Sequence, residues 1–102
     1  MALPLVYRRR VGRDLAGGYV YYEGQKADLG KEFLAAVELS FESIERSPEL
    51  YMRAHLEVRR AIVSRFPYAV FYLVESERIV VLRVLHTASD PKRWPQPRKV
   101  GR

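Results

Sequence analysis

The sequence predicts a single α+β domain with the element order β-α-α-β-β-β, in which a helical hairpin packs on one face of an antiparallel sheet. Its 102 residues are the length of one domain, and an apolar content of 48% is sufficient to form a core. Apolar residues recur at helical spacing in the first half, and β-branched and aromatic runs fill the second. The domain is predicted to span residues 1–94, and residues 95–102 to form a flexible basic tail.

The N-terminal part predicts a short strand and a weak helix. Residues 3–10 alternate between apolar and other side chains, which is typical of an extended segment. Apolar and aromatic side chains then follow helical spacing over residues 13–25. Gly17 and Gly18 lie inside this pattern and each lowers helix stability by about 1 kcal/mol relative to alanine. The first helix therefore needs support from tertiary packing.

The second helix has the clearer pattern. Asp28 is a candidate N-cap, an apolar stripe runs from Phe33 to Ile44, and Pro48 ends the helix after Ser47. Because the connector between the two helices is short, we expect them to form an antiparallel hairpin.

Three strands are predicted over residues 58–66, 68–75 and 78–86. The two later strands are apolar on both faces. In a sheet with one face exposed to solvent, apolar and polar residues alternate along each strand. A helical hairpin covers only one face. A partner, a second copy or the chain's own tail must cover the other, and the pattern favours a partner.

Charge is distributed unevenly along the chain, whose net charge is +6. Residues 1–13 carry four arginines and no acid, for +4; residues 14–57 carry nine acids and four bases, for −5; residues 58–102 carry ten bases and three acids, for +7. If the two ends meet in the fold, the molecule has one positive side, suited to nucleic acid or to an acidic protein. The alternative is a solubilising surface without a target.

The sequence lacks the residues that several kinds of functional site require. There is no cysteine, which excludes disulfides, thiol nucleophiles and thiolate metal sites. The histidines, His55 and His86, are 31 residues apart without a third ligand, so we expect neither a metal site nor another cofactor. No glycine-rich phosphate loop follows a strand. No secretion signal or membrane span is predicted, and we expect a cytoplasmic protein without membrane contact.

Several segments of the sequence resemble, in the same order along the chain, segments of ParE-type toxins of the RelE/ParE superfamily. The resemblance covers about residues 14–94 and is carried by the following segments: Tyr21-Tyr-Glu-Gly-Gln25, residues 29–37, Ile44-Glu-Arg-Ser-Pro48, residues 58–60, Arg65-Phe-Pro-Tyr68, residues 70–72, residues 79–81, and His86-Thr-Ala-Ser-Asp-Pro91 with Trp94. The pattern is specific to the superfamily, not to one molecular target.

The resemblance implies the toxin of a type II toxin–antitoxin pair, closest to the plasmid-stabilisation branch. Such a toxin is held in a hetero-oligomer with a small ParD-like antitoxin, whose C-terminal segment covers apolar and basic surface. ParE-type members poison DNA gyrase without catalysis, whereas RelE-type members cut mRNA on the ribosome. The same fold serves both activities, so the site must decide between them.

Two candidate sets of site residues follow. For RNA cleavage, which requires a proton acceptor and cations around the phosphate, the candidates are Arg59, Arg60, Arg65 and His86. For binding the target or the antitoxin, the candidates are Arg59, Arg60, Arg65, Tyr68, Tyr72, Arg83 and Trp94. Each also has a structural interpretation: His86 as a hydrogen-bonded strand end, and the adjacent Arg59 and Arg60 as residues on opposite faces of a strand.

Departures from the nuclease branches favour the gyrase poison over the mRNA endonuclease. In the YoeB branch a tyrosine follows the strand-end histidine, but Thr87 follows His86 here, and the position of that branch's arginine is occupied by Ala69. The lysines of the RelE branch are missing from residues 50–74. A third possibility, an ordinary nucleic-acid-binding domain, is disfavoured because the sequence has no aromatic RNA-binding signature and no recognition-helix motif.

Overall fold

The computed structural model of the protein describes residues 3–95, and it has the α+β architecture that the sequence predicts. Its elements are, in chain order, β1 (Leu5–Tyr7), α1 (Arg9–Gln25), α2 (Leu29–Arg46), β2 (Arg53–His55), β3 (Val58–Ile62), β4 (Tyr68–Val74), β5 (Ile79–His86) and a 3-10 helix (Pro91–Arg93). Of the predicted basic tail, residues 96–102 lie outside the described residues.

The strands form one sheet in the order β1-β5-β4-β3-β2. The predicted antiparallel pairing holds for β3, β4 and β5, but β1 lies parallel to β5, with Leu5 opposite Ile79. Parallel neighbours need a crossover connection, and the helical hairpin that follows β1 is the first part of that crossover. The sheet is therefore mixed, and the three-residue edge strand β2 is an addition to the predicted order.

The connection between the helices is fixed by a side chain other than the predicted cap. Asp28 occupies the N-cap position of α2 but has a left-handed backbone (φ 71°) and makes no side-chain capping bond, so the predicted role of its carboxylate is wrong. Instead, the Glu23 carboxylate accepts hydrogen bonds from the backbone N–H groups of Asp28 (2.9 Å) and Gly30 (3.0 Å). A carboxylate from the end of α1 thus caps the start of α2.

The main core lies between the helical hairpin and one face of the sheet. Four aromatic rings meet at its centre, where Phe33 packs against Tyr22, Phe66 and Tyr68 with ring centroids 4.9–5.5 Å apart. The other fully buried side chains of this core include Val11, Val37, Ile44, Val63, Val70, Tyr72, Ile79, Val81 and Val84. Their burial supplies the tertiary support that α1 requires.

A second apolar cluster covers the opposite face of the sheet. It is formed by Val58, Ala69, Phe71, Leu73, Val80, Leu82 and Leu85, all buried in the isolated chain. Trp94, which follows the 3-10 helix, packs on Phe71 with ring centroids 5.4 Å apart. The face is buried without a partner, so of the three predicted ways of covering it the structure shows the chain's own C-terminal segment rather than the favoured partner.

The adjacent glycines of α1 are predicted to respond oppositely to alanine substitution. A Cβ on Gly18 would lie 2.5 Å from Phe33 Cε2, whereas a Cβ on Gly17 would meet no atom within 4 Å. Phe33 is fully buried and cannot swing away. We expect Gly18→Ala to destabilise the protein by about 1–2 kcal/mol net, despite the helix propensity of alanine. The matched control Gly17→Ala is expected to stabilise it by up to about 1 kcal/mol. Urea unfolding of both variants measures the difference, and equal shifts would contradict the close packing of Gly18 on Phe33.

Candidate functional site

Arg59 and Arg60 point to opposite faces of β3, as the sequence predicts for strand neighbours. The Arg59 guanidinium donates to the backbone carbonyl of Tyr51 at 2.7 Å and, more weakly, to that of Glu49 at 3.4 Å. Arg60 lies on the other face, with its guanidinium carbon 5.2 Å from the centre of the Trp94 ring. The two guanidinium groups therefore lie on opposite faces of the sheet and cannot bind the same anion.

Tyr72 lies beside Arg59 and, like Arg59, binds the segment between α2 and β2. The two residues are opposite each other in the β3–β4 pair, and Tyr72 is completely buried. Its hydroxyl donates to the backbone carbonyl of Pro48 at 2.6 Å. Burial raises the pKa of Tyr72 to about 12, with the nearby Arg59 opposing that shift. Tyr72 and Arg59 thus anchor the segment between α2 and β2.

Arg65 lies in the turn between β3 and β4. Its backbone is left-handed (φ 72°), and its guanidinium donates to the Glu32 carboxylate of α2 at 2.9 Å. Both side chains are largely exposed, so this ion pair contributes little stability. Arg65 remains exposed in this turn, at the end of the two strands.

His86 ends β5, with its ring 5.4 Å from that of Tyr68. The side chain is exposed, and its Nδ1 accepts a hydrogen bond from the backbone N–H of Ala88 at 3.0 Å. A neutral imidazole that accepts at Nδ1 carries its proton on Nε2, which is then a donor. In this arrangement His86 is a strand-end residue whose Nδ1 secures the following turn. Burial raises the pKa of the neighbouring Tyr68, which disfavours its ionised form.

Arg83 is bound inside the protein by Asp14, 69 residues earlier in the chain. The Asp14 carboxylate accepts from Arg83 Nε at 2.8 Å, from Arg83 Nη2 at 2.9 Å and from the backbone N–H of Val84 at 2.9 Å. A register shift in the β4–β5 pair between Phe71 and Tyr72 accompanies this contact. The hydrogen bond to Asp14 raises the pKa of Arg83 further above its usual value. The predicted binding residue Arg83 thus joins α1 to β5.

The four residues proposed for RNA cleavage are therefore not assembled into one centre. Arg59 and Arg60 serve opposite faces, Arg65 pairs with α2, and His86 closes its own turn. Within residues 3–95, no group of three or more histidine, cysteine, aspartate or glutamate side chains is placed to hold a metal ion.

The structure instead forms a cationic cavity from both ends of the described chain. Arg8, Arg9 and Arg10 at the start of α1 face Lys92 and Arg93 of the 3-10 helix across a cavity of about 650 Å³. Leu82, Arg83, Trp94 and Pro95 complete the lining, and none of these described lining residues is acidic. Arg83 and Trp94 are among the predicted binding residues, whereas only the uneven charge distribution in the sequence pointed to the five exposed cations. The two basic ends of the described chain meet at this cavity, as the expectation of one positive side requires.

A smaller cavity of about 290 Å³ shares Arg83 and Arg93 with the cationic cavity. Arg13, Asp14, Tyr68, His86 and Ser89 contribute to its lining, and the Asp14 carboxylate is bound to Arg83. The positive surface thus extends along α1 towards the end of β5.

Comparison with known proteins identifies the family to which this fold belongs. Residues 5–91 match the family model described as the ParE toxin of the type II toxin–antitoxin system parDE. The chain belongs to the ParE toxin family. A solved structure of the chromosomal ParDE toxin–antitoxin system from P. aeruginosa has the same fold, with a TM-score of 0.62 and 21% sequence identity. That alignment covers 82% of this chain and 95% of the other.

No curated protein sequence matches this member of the ParE family. Among the described residues, neither helix is both long and apolar enough to cross a membrane.

Proposed function

We propose that this ParE-family chain is a toxin that poisons DNA gyrase by binding it, and that a small ParD-like antitoxin neutralises the toxin in a hetero-oligomer. The observation that carries the proposal is the match of residues 5–91 to the ParE toxin model, which covers all the elements of the fold except part of the 3-10 helix. Gyrase acts on chromosomal and plasmid DNA, so the proposed place of action is the cytoplasm.

The geometry of the candidate residues supports an action by binding rather than by catalysis. A ribonuclease needs a proton acceptor and cations directed at one phosphate. Arg59 and Arg83 are instead committed to contacts within the protein, and the Nδ1 atom of His86 is occupied by the Ala88 N–H. The exposed cations are concentrated at the cationic cavity, which is a surface suited to a charged partner.

One observation favours a second candidate, a ribosome-dependent mRNA endonuclease. His86, Tyr68, Arg13 and Arg93 line the same small cavity, so a phosphate bound there would lie near an imidazole and two guanidinium groups. For this activity, His86 would have to give up its hydrogen bond to Ala88. The two functions make opposite predictions for one substitution.

Adding the purified full-length chain to gyrase supercoiling reactions and, in parallel, to translating ribosomes with a labelled message separates them. We expect loss of supercoiling activity, an intact message, and no more than about a twofold change in gyrase inhibition on His86→Ala, because the hydrogen bond that the imidazole makes lies within its own turn. His55→Ala is the matched control for histidine removal. Message cleavage that disappears with His86→Ala, together with unaffected gyrase, would overturn the proposal in favour of the endonuclease.

A further inference from the structure

The cationic cavity concentrates like charges, and its described lining contains no acidic residue. Five other cations of the described chain are paired with carboxylates; these pairs are Lys31–Asp28, Arg53–Glu57, Arg65–Glu32, Arg78–Glu75 and Arg83–Asp14. By contrast, Arg8, Arg9, Arg10, Lys92 and Arg93 are all exposed, and none makes an ion pair within residues 3–95. Five positive charges around one cavity repel one another, so this arrangement favours binding of a polyanion.

We propose that the cationic cavity binds the phosphate backbone of duplex DNA. Four of its five unpaired cations are arginines, whose planar guanidinium groups bind phosphate oxygens in bidentate pairs. Arg13 and Arg93 carry the positive surface into the neighbouring smaller cavity. The surface is thus extended rather than confined to a single point, as contact with successive phosphates requires.

The remaining lining residues favour duplex DNA over a single strand or an acidic peptide. Proteins that hold single strands stack the bases on accessible aromatic rings. The Trp94 ring is already occupied, because it packs on Phe71 and lies under Arg60. An acidic peptide uses apolar anchors as well as charge, but Leu82 is buried and offers little apolar surface. Contacts limited to phosphates suit a duplex, whose bases face inward and whose charge density is high.

This inference concerns a direct contact with DNA and does not depend on gyrase being the target. DNA binding by the isolated chain is measured without gyrase, so failure of either proposal leaves the other intact.

Fluorescence anisotropy of a labelled 20-base-pair duplex, titrated with the full chain between 50 and 200 mM salt, provides the test. Four or five phosphate contacts predict a slope of about −3.6 to −4.5 in log affinity against log salt, or a loss of about 150- to 500-fold over this range. The variant Arg9→Gln/Arg10→Gln/Lys92→Gln is expected to weaken binding at least about tenfold and to reduce the slope by about 2.7.

A charge-matched variant, Lys26→Gln/Arg46→Gln/Arg53→Gln, removes the same three charges at exposed positions outside the cavity. We expect its affinity to stay within about threefold of the unmodified chain. If circular dichroism shows that the cavity variant is unfolded, Lys92→Gln/Arg93→Gln, compared with Lys26→Gln/Arg46→Gln, carries the same test.

Equal loss of affinity in the cavity variant and in its charge-matched control would overturn the proposal, since binding would then follow total charge. Tighter binding to a single-stranded RNA of the same length, or to polyglutamate of equal charge, would also overturn it by assigning the cavity to a different polyanion.

Discussion

Replacing Asp14 with alanine is expected to destabilise the protein by about 3–5 kcal/mol, a large loss for a single substitution. The side chains of Asp14 and Arg83 are only 9% and 12% exposed, so removal of Asp14 leaves a largely buried guanidinium without its counter-ion. It also removes the acceptor for the backbone N–H of Val84, which costs a further part of that total. Urea-induced unfolding of the full chain measures the loss.

Two variants test whether burial is the reason. Glu32→Ala removes the carboxylate of an exposed ion pair, whose side chains are 66% and 46% exposed, and is expected to cost no more than about 1 kcal/mol. Asp14→Ala/Arg83→Met removes both buried charges and is expected to be more stable than Asp14→Ala alone. Equal losses for Asp14→Ala and Glu32→Ala would show that the contact between α1 and β5 is not a significant contributor to stability.

Alkaline pH is expected to destabilise the protein through Tyr72. Its pKa is raised to about 12 from an ordinary value of 10.0, chiefly by burial. Because the folded protein holds the proton more tightly than the unfolded chain, this contribution is fully present below pH 10 and is lost as the pH rises towards 12. Two pKa units correspond to about 2.7 kcal/mol. Unfolding free energies measured between about pH 8 and pH 12 test this.

The matched variant is Tyr72→Phe, which keeps the ring and removes the ionisable hydroxyl. At neutral pH it is expected to cost about 1 kcal/mol, because the Pro48 carbonyl loses its donor. Its stability should then fall much less steeply above pH 10. The shallower decline that remains reflects Tyr22 and Tyr68, whose pKa values burial also raises. An unchanged alkaline slope in Tyr72→Phe would contradict the assignment.

The elements with strong periodic patterns were predictable from the sequence. The observed α2 has the bounds that its apolar stripe and Pro48 indicate, and β4 and β5 lie within the predicted strands. These elements bury a contiguous apolar surface. Because one face of each element must be apolar, its apolar residues recur at a regular spacing in the sequence. The short strand β1 was also predicted, although its parallel pairing was not, because spacing within a strand does not reveal the direction of its neighbour.

Contacts between distant parts of the chain could not be predicted from local patterns in the sequence. Asp14 and Arg83 have no distinctive neighbours in sequence, and only the packing of α1 on β5 brings them together. Burial of the second sheet face is a similar case, since the docking of Trp94 on Phe71 depends on where the chain turns after β5.

The sequence predicted the positive charge of the candidate site, but it did not predict which residues form the site. The basic ends of the sequence indicated one positive side, and cations of both ends of the described chain meet at the cationic cavity. The individual arginines chosen from the strands, such as Arg59 and Arg83, are instead bound to other parts of the protein. A strand arginine that binds a partner and one that fixes a loop have the same sequence pattern, so geometry is needed to separate them.

Gyrase-dependent cleavage of plasmid DNA is the decisive measurement for the proposed action of this toxin. Purified gyrase, plasmid and ATP are incubated with the full chain, and linear DNA is quantified after detergent and protease treatment. We expect that linear plasmid accumulates with increasing protein, that omitting gyrase abolishes it, and that a cognate antitoxin reverses it. Plasmid that remains uncut and normally supercoiled at saturating protein would contradict the proposal that this chain is a gyrase poison.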